Sequence, residues 1–266
     1  MTEDVRVLVV DDEPDLAEMA TVFLERESDV LVADAETDPA DAIERFDAES
    51  HDCVVSDYDM PEMNGLELFE AIRSRSPDLP FVLFTGKGSE EIASEAMSAG
   101  VTDYLQKESG TDQYAVLANT VENAVEKHRT ERALRESQHR FDAVFQDPNS
   151  FIGLLETDGT VIQVNRTALD AVDADADDVE GEKFWRTPWW PDDVRDDLRS
   201  WVAAAADGEF VRFHAHNDVP HGGGGTDGRV LLDVLVRPVH DDHGEVNTLI
   251  AEGRSMDALK ERTDLS

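Results

Sequence analysis

The sequence predicts an α/β domain with a doubly wound five-stranded parallel sheet, followed by an α+β domain with an antiparallel sheet, the two joined by a helical linker. Three observations predict this. At about 150 residues per domain, 266 residues provide two cores rather than one. Between Val5 and Leu105 short unalternating apolar runs take turns with helical periodicity, the pattern of a parallel sheet covered on both faces. After Asn149 the order becomes two strands, several short helices and three strands, with turn residues between neighbours.

The five runs VRVLVV (5–10), VLVAD (30–34), CVVSD (53–57), FVLF (81–84) and TDYL (102–105) are the expected strands, each buried on both faces. Between them Glu13–Arg26, Pro39–Phe46, Gly65–Arg73 and Glu90–Ser98 carry apolar residues at three- and four-residue steps, as in Leu66, Phe69 and Ile72. Helical spacing resumes at Gln113 and meets no Gly or Pro before Phe145. Its later part is mostly polar, with Leu134 and Phe141 one heptad apart, which suits a rigid connector and a homodimer contact. In the second domain FIGLLE (151–156) and TVIQVN (160–165) flank an Asp158–Gly159 turn. A helix ends near Gly208, and EFVRFHAH (209–216), RVLLDVLVRPVH (229–240) and EVNTLIAEG (245–253) close the sheet.

Composition narrows the function classes. The chain has 35 Asp and 26 Glu against 18 Arg and 5 Lys, a net charge of −38. Such a surface repels nucleic-acid phosphates and anionic lipid, so neither direct nucleic-acid binding nor membrane association is expected. The dominance of short, strongly hydrated carboxylates resembles the proteins of salt-accumulating halophiles. No window approaches 18 consecutive apolar residues, and the N-terminus lacks a signal peptide, so the expected location is cytoplasmic. The single Cys53 can form neither an internal disulfide nor a Cys-based zinc site, and packs as a small apolar residue.

In open parallel sheets sites form at the carboxyl ends of the strands. Asp11 and Asp12 end the first strand, Asp57 the third and Thr85 the fourth, while Lys107 lies just beyond the fifth. Three carboxylates in one cleft repel unless a cation intervenes, and hard oxygen ligands with room for waters suit Mg²⁺. An Asp57 oxygen could then attack a phosphoryl group in line, with Lys107 and the Thr85 hydroxyl stabilising its equatorial oxygens.

The blocks VLVVDDEP, VVSDYDMPEMNG, FTGKG and DYLQK resemble those of a two-component response-regulator receiver domain, over roughly residues 5–125. The resemblance implies a flavodoxin-like strand order 2-1-3-4-5, Asp57 as phosphoacceptor, Asp11 and Asp12 as Mg²⁺ holders, and the Asp59 main-chain carbonyl as a further ligand. It also implies a switch pair, Thr85 and Tyr104, and a phosphodonor partner that is a sensor histidine kinase or phosphotransfer protein. Its chemistry is self-catalysed aspartyl phosphorylation and dephosphorylation, not turnover of a separate substrate. Glu108 departs from the pattern, standing where many relatives have Pro after the lysine. Asp57–Tyr58–Asp59 also matches the DxD of haloacid-dehalogenase-like phosphatases, but there the nucleophile's strand comes first and the other acids lie downstream.

The strand and helix order of the second half, with DGTVIQVN, EGEKFW and RPVHDDHGEVNTLIAEGRSM, resembles a PAS domain with its C-terminal PAC stretch over about residues 138–256. Trp185, Trp189, Trp190 and Asn165 are its candidate pocket residues, and nothing identifies a ligand or requires one. The light-sensing subclass needs a cysteine, which this half lacks. His214 and His216, with His221 nearby, are read as solvated strand histidines rather than metal ligands. The His221–Gly225 run has no G-x-S-x-G partner motif, and Gly86–Ser89 lacks P-loop spacing.

The expected organisation is a receiver domain at 4–122, a helical linker at 123–140, a PAS/PAC domain at 141–256 and a helical tail at 257–266. With no room after Ser266 for a kinase or helix-turn-helix domain, output is expected through a downstream signalling protein. An alternative reading makes the chain chiefly a PAS ligand sensor with the receiver as secondary input. The charge excess yields a direct prediction. The thermal unfolding midpoint should rise steeply as KCl is raised from about 0.1 M to about 1 M, where the Debye length falls to about 3 Å. A midpoint independent of KCl would refute the self-repulsion.

Overall fold

The computed structural model describes residues 4–47, 50–86, 90–218 and 229–256. Residues 87–89 of the Gly86–Ser89 run, the His221–Gly225 run and the 257–266 tail lie outside the described residues. The chain divides into two compact units, Met1–Glu136 and Ser137–Ser266.

The first unit alternates β1 (Val5–Val10), α1 (Pro14–Glu27), β2 (Leu31–Glu36), α2 (Pro39–Arg45), β3 (Cys53–Ser56), α3 (Gly65–Arg75), β4 (Phe81–Thr85), α4 (Glu90–Ala99), β5 (Asp103–Gln106) and α5 (Asp112–Phe145). The five strands pair in parallel in the order β2-β1-β3-β4-β5, a flavodoxin-like doubly wound sheet. Its central runs do not alternate in polarity because both faces are covered. Val5, Val7 and Val9 of β1 join Leu24 of α1 and Leu117 and Val121 of α5. Leu8 and Val10 point the other way, to Ala42 of α2, Leu68 and Ile72 of α3 and Ala96 of α4.

The expectation of full burial fails at the edge strands. In β2 only Leu31 is buried, and β5 has no buried residue. An edge strand lacks one neighbour and is incompletely roofed, so its later residues can be polar. Arg45 bridges Asp34 and Glu36 on β2, a charged margin that discourages further strand addition.

Local signals set the helix starts. Asn64 accepts the N–H groups of Leu66 and Glu67 while Glu67 accepts that of Asn64, a reciprocal capping box for α3. Asp38 caps α2 through the N–H groups of Ala40 and Asp41. Helix α5 buries Tyr114, Leu117, Ala118, Val121 and Val125, whereas the heptad-spaced Leu134 and Phe141 are exposed.

The second unit contains β6 (Phe151–Leu155), β7 (Val161–Val164), α6 (Arg166–Val172), α7 (Ala176–Val179), α8 (Arg195–Ala206), β8 (Val211–Asp218), β9 (Arg229–His240) and β10 (Val246–Ser255). The strands form an antiparallel sheet in the order β7-β6-β10-β9-β8. Here period two is visible, with Phe213 and Ala215, Leu232, Val234 and Val236, and Leu249 and Ala251 entering one core with Leu198 and Val202 of α8.

Two candidate pocket residues have structural roles instead. The Asn165 side chain is wholly buried. Its Oδ1 accepts the N–H groups of Ile152 (3.1 Å) and Ala168 (3.0 Å), and its Nδ2 donates to the carbonyls of Phe145 (3.0 Å) and Ser150 (2.8 Å). It therefore caps α6 and stitches the approach to β6, leaving nothing for a ligand. The Trp185 ring lies against Gly159, whose φ is +82° and where any Cβ would collide with the indole. The turn needs this glycine both for its left-handed backbone and for the space. Replacing Asn165 by Ala should lower the stability of the second unit by about 3 kcal/mol, because the Ile152 N–H and the Phe145 and Ser150 carbonyls lose their side-chain partner. Urea unfolding at fixed KCl measures this, and an unchanged midpoint would contradict the stitching role.

Candidate functional site

Backbone pairing beyond the strand ends brings the site together. The Asp57 N–H donates to the Val10 carbonyl at 2.8 Å, setting the ends of β3 and β1 side by side. The Lys107 N–H donates to the Thr85 carbonyl at 2.8 Å, doing the same for β5 and β4. The Ser56 hydroxyl donates to the Asp57 carbonyl at 2.7 Å. Gly65, at the start of α3, packs so closely on that carbonyl that a Cβ would strike it and would come within 2.7 Å of Leu83 Cδ2.

Asp11 and Asp57 are buried, at 4% and 8% exposure, and share one cation. Lys107 Nζ donates to Asp11 Oδ2 at 2.5 Å and to Asp57 Oδ1 at 2.8 Å. The remaining carboxylate oxygens accept main-chain N–H groups, Asp11 Oδ1 from Glu13 at 3.0 Å and Asp57 Oδ2 from Asp59 at 2.7 Å. Burial pushes the Asp11 carboxyl above its usual range, outweighing the pull of Lys107 and the Glu13 N–H. Burial alone would lower the Lys107 ammonium, but its hydrogen bonds to both carboxylates outweigh that and raise it. Two carboxylates on one ammonium leave an uncompensated negative charge, with the half-buried Asp12 adjacent.

This excess suits a divalent cation. Among the described residues no three acidic, His or Cys side chains gather as a metal cage, and the Lys107 ammonium occupies the contact between Asp11 and Asp57. Asp12 is half-buried and the Asp59 side chain exposed. A few hard oxygen donors beside solvent fit Mg²⁺, which keeps several waters and takes one or two carboxylates. They do not fit a metal that requires a closed protein cage.

Thr85 is fully buried at the end of β4. Tyr104 on β5 is half-buried against the α3 and α4 side of the sheet, and its phenol oxygen is buried without a hydrogen-bond partner. Burial first, and the nearby Asp57 charge second, raise that phenol's pKa.

Sequence reasoning missed the aromatic backing of the lysine. Lys107 Nζ lies 5.8 Å from the Phe84 ring centroid, Phe84 meets Tyr114 edge to face at 5.8 Å, and Tyr114 stacks on Phe23 at 4.7 Å. The aromatic types at 23, 84 and 114 were visible, but their meeting required the packing of α1 and α5 on one face. Glu108 is accommodated by a donor that Pro lacks, since its N–H bonds Gln113 Oε1 at 2.8 Å and Gln113 Nε2 bonds the Gly110 carbonyl at 2.7 Å.

In the second unit Trp189 and Trp190 line an apolar cavity of about 40 Å³ with Phe151, Phe184 and Leu232, whereas Trp185 and Asn165 do not. That volume holds a few waters and is far below that of a haem or flavin. The Trp189 indole donates to the Ala168 carbonyl at 2.8 Å. His214 and His216 are exposed, and His214 faces Asp233 at 3.5 Å.

A family model described as a response regulator receiver domain matches residues 7–119, and one described as a PAS fold matches residues 145–261. The chain is similar to the sensor histidine kinase TmoS of Ectopseudomonas mendocina, at 31% identity over 119 residues, covering 44% of this chain and 11% of that protein. It is also similar to hybrid signal transduction histidine kinase D of Dictyostelium discoideum, at 27% identity over 139 residues, covering 52% of this chain and 9% of that protein. It thus spans only a small part of either relative. Among solved structures, the PAS domain of an HTR-like protein from Haloarcula marismortui aligns at 22% identity over 48% of this chain and 98% of that one, with a TM-score of 0.38.

The shared cation gives a stability prediction. Lys107→Met should lose about 3 kcal/mol at pH 7, because two buried carboxylates are left unpaired. Mg²⁺ should restore more of the urea midpoint in the variant than it adds to wild type. Because the Lys107 pKa is raised, its contribution in wild type is fully present below the ordinary lysine value of 10.5 and is lost only as pH climbs through the raised value. A variant as stable as wild type at pH 7 would overturn the bridging role.

Proposed function

Residues 7–119 are a response regulator receiver domain and residues 145–261 a PAS fold, a pairing with a role in two-component signalling, and within that role we propose that Asp57 accepts a phosphoryl group from the phosphohistidine of a partner kinase or phosphotransfer protein. The observation that carries this reading is the Lys107 ammonium held on both Asp11 and Asp57. In this reading the receiver spans 4–122, the linker 123–140, the PAS/PAC domain 141–256 and the tail 257–266.

An Asp57 carboxylate oxygen forms the new bond to phosphorus as the bond from phosphorus to the donor nitrogen breaks, and the freed imidazole keeps that electron pair. Asp59 and Ser56 hold the Asp57 side chain and carbonyl so that the nucleophile does not turn away. Lys107 stays protonated and neutralises charge on the equatorial oxygens. Thr85 supplies a hydroxyl from the neighbouring strand end. Mg²⁺, when bound by Asp11 and Asp12 with Asp57 and the Asp59 carbonyl, supplies further charge neutralisation of the phosphoryl group.

The unpartnered Tyr104 phenol fits a switch role. A buried hydroxyl without a partner costs about 1–3 kcal/mol, so a ring that turns when Thr85 engages the phosphoryl group gives up little in leaving its present site. The change is then passed along α5 to the PAS domain and on to a downstream signalling protein, with the exposed Leu134 and Phe141 available to a homodimer. A cytoplasmic setting fits this chemistry, and among the described residues no helix is long and apolar enough to cross a membrane.

Incubation with a small acyl phosphate and Mg²⁺ at molar KCl should give wild type, but not Asp57→Asn, a base-labile phosphoryl group. Absence of the label from wild type, or its persistence in the variant, would overturn the assignment.

A further inference from the structure

The parallel sheet has a second end, where its strands begin, and the first unit carries there a polar groove of about 760 Å³. Its walls come from the start of β1, the segment leading into β3, the segment after α3 and the 128–132 stretch of α5. In a chain of 61 acids and 23 bases this groove reverses the sign. Arg6, Arg129 and Arg132 and the imidazoles of His51 and His128 face two carboxylates, Asp4 and Asp52.

The Asp52 carboxylate is already engaged. Asp52 Oδ1 accepts from Arg129 Nη2 at 2.9 Å, and Asp52 Oδ2 accepts the Arg6 main-chain N–H at 3.0 Å. Arg129 Nη2 also donates to the Asp4 carbonyl at 3.0 Å, which fixes this guanidinium at one end of the groove. The Arg6 guanidinium, by contrast, has no hydrogen bond or ion pair to a described residue. Among the described residues Arg132 is held by an exposed pair with Glu136 at 3.0 Å, an interaction worth little and easily exchanged.

We propose that this groove binds a compact multivalent oxyanion of the phosphate class, with Arg6 and Arg132 as its principal ligands. Planar guanidinium forks grip phosphate oxygens in pairs, and Ser76 lies on the same wall. The bound anion joins β1 to α5, so it acts on the helix that leads out of the receiver. The site is separate from the phosphoacceptor, because a parallel sheet puts its strand starts and strand ends on opposite edges. At low ionic strength the acidic surface repels anions. Molar KCl removes that long-range repulsion and leaves the contact hydrogen bonds.

His128 reports occupancy. Burial lowers its pKa, with Asp78 and Glu131 pulling upward and Arg132 and Arg135 downward. An anion beside it favours the charged imidazole, so binding takes up protons and tightens as pH falls.

The test is calorimetric titration of the Asp57→Asn full chain with sodium pyrophosphate in EDTA at about 2 M KCl, above the roughly 1 M at which the Debye length has already fallen to about 3 Å. One site is expected, at least about tenfold weaker in Arg6→Gln and in Arg132→Gln, as loss of a charged hydrogen-bond donor requires. Ser76→Asp, which breaks no ion pair, should abolish binding and guards against a folding defect in the arginine variants. No binding, or binding unchanged in all three variants, would overturn the proposal. An oligoglutamate peptide that binds more tightly than pyrophosphate would also overturn it, reassigning the groove to acidic peptides. Because Asp57 is absent throughout, the result does not depend on whether that residue is phosphorylated.

Discussion

The first unit's site depends on one ammonium shared by two buried carboxylates. Asp11, Asp57 and Lys107 come from three strands separated by tens of residues, and the two ion pairs of Lys107 hold those strand ends together. Without the lysine the same arrangement is electrostatically expensive, since a buried charge without a partner is strongly unfavourable. With it, one negative charge remains in excess, which suits a divalent cation beside the pair. Stability and chemistry thus share one cause.

The second unit is organised by a neutral group. Asn165 spends its amide on five backbone partners across a helix start, a strand and the residues before it. An amide can both donate and accept in one plane, so it joins irregular backbone that no ladder would satisfy. The adjoining apolar cavity is small, and its Trp190 packs edge to face on Phe184.

Much of this was legible in the sequence. The strands follow from local chemistry, and the acids at the ends of β1 and β3 could be placed at one edge by topology alone. The errors have a common origin. Full burial of β2 and β5 was expected because apolar runs look alike whether a strand is central or at an edge. Trp185 was grouped with Trp189 and Trp190 because residue type does not say which side of a turn a ring covers, and Asn165 because its backbone partners come from segments apart in sequence. Tyr114 and Phe84 were overlooked because nothing in their sequence spacing announces that they meet behind Lys107.

By itself the sequence determined the two-unit architecture, the strand and helix order and the acidic, hydroxyl and amine groups at the strand ends, because these rest on periodicity, turn residues and residue type, all local quantities. Only the tertiary structure decided the pairing of Lys107 with Asp11 and Asp57, the lone phenol of Tyr104 and the cationic groove at the opposite edge. Each is a balance between desolvation and partners from distant segments, and that balance exists only once the segments are brought within a few ångströms of one another.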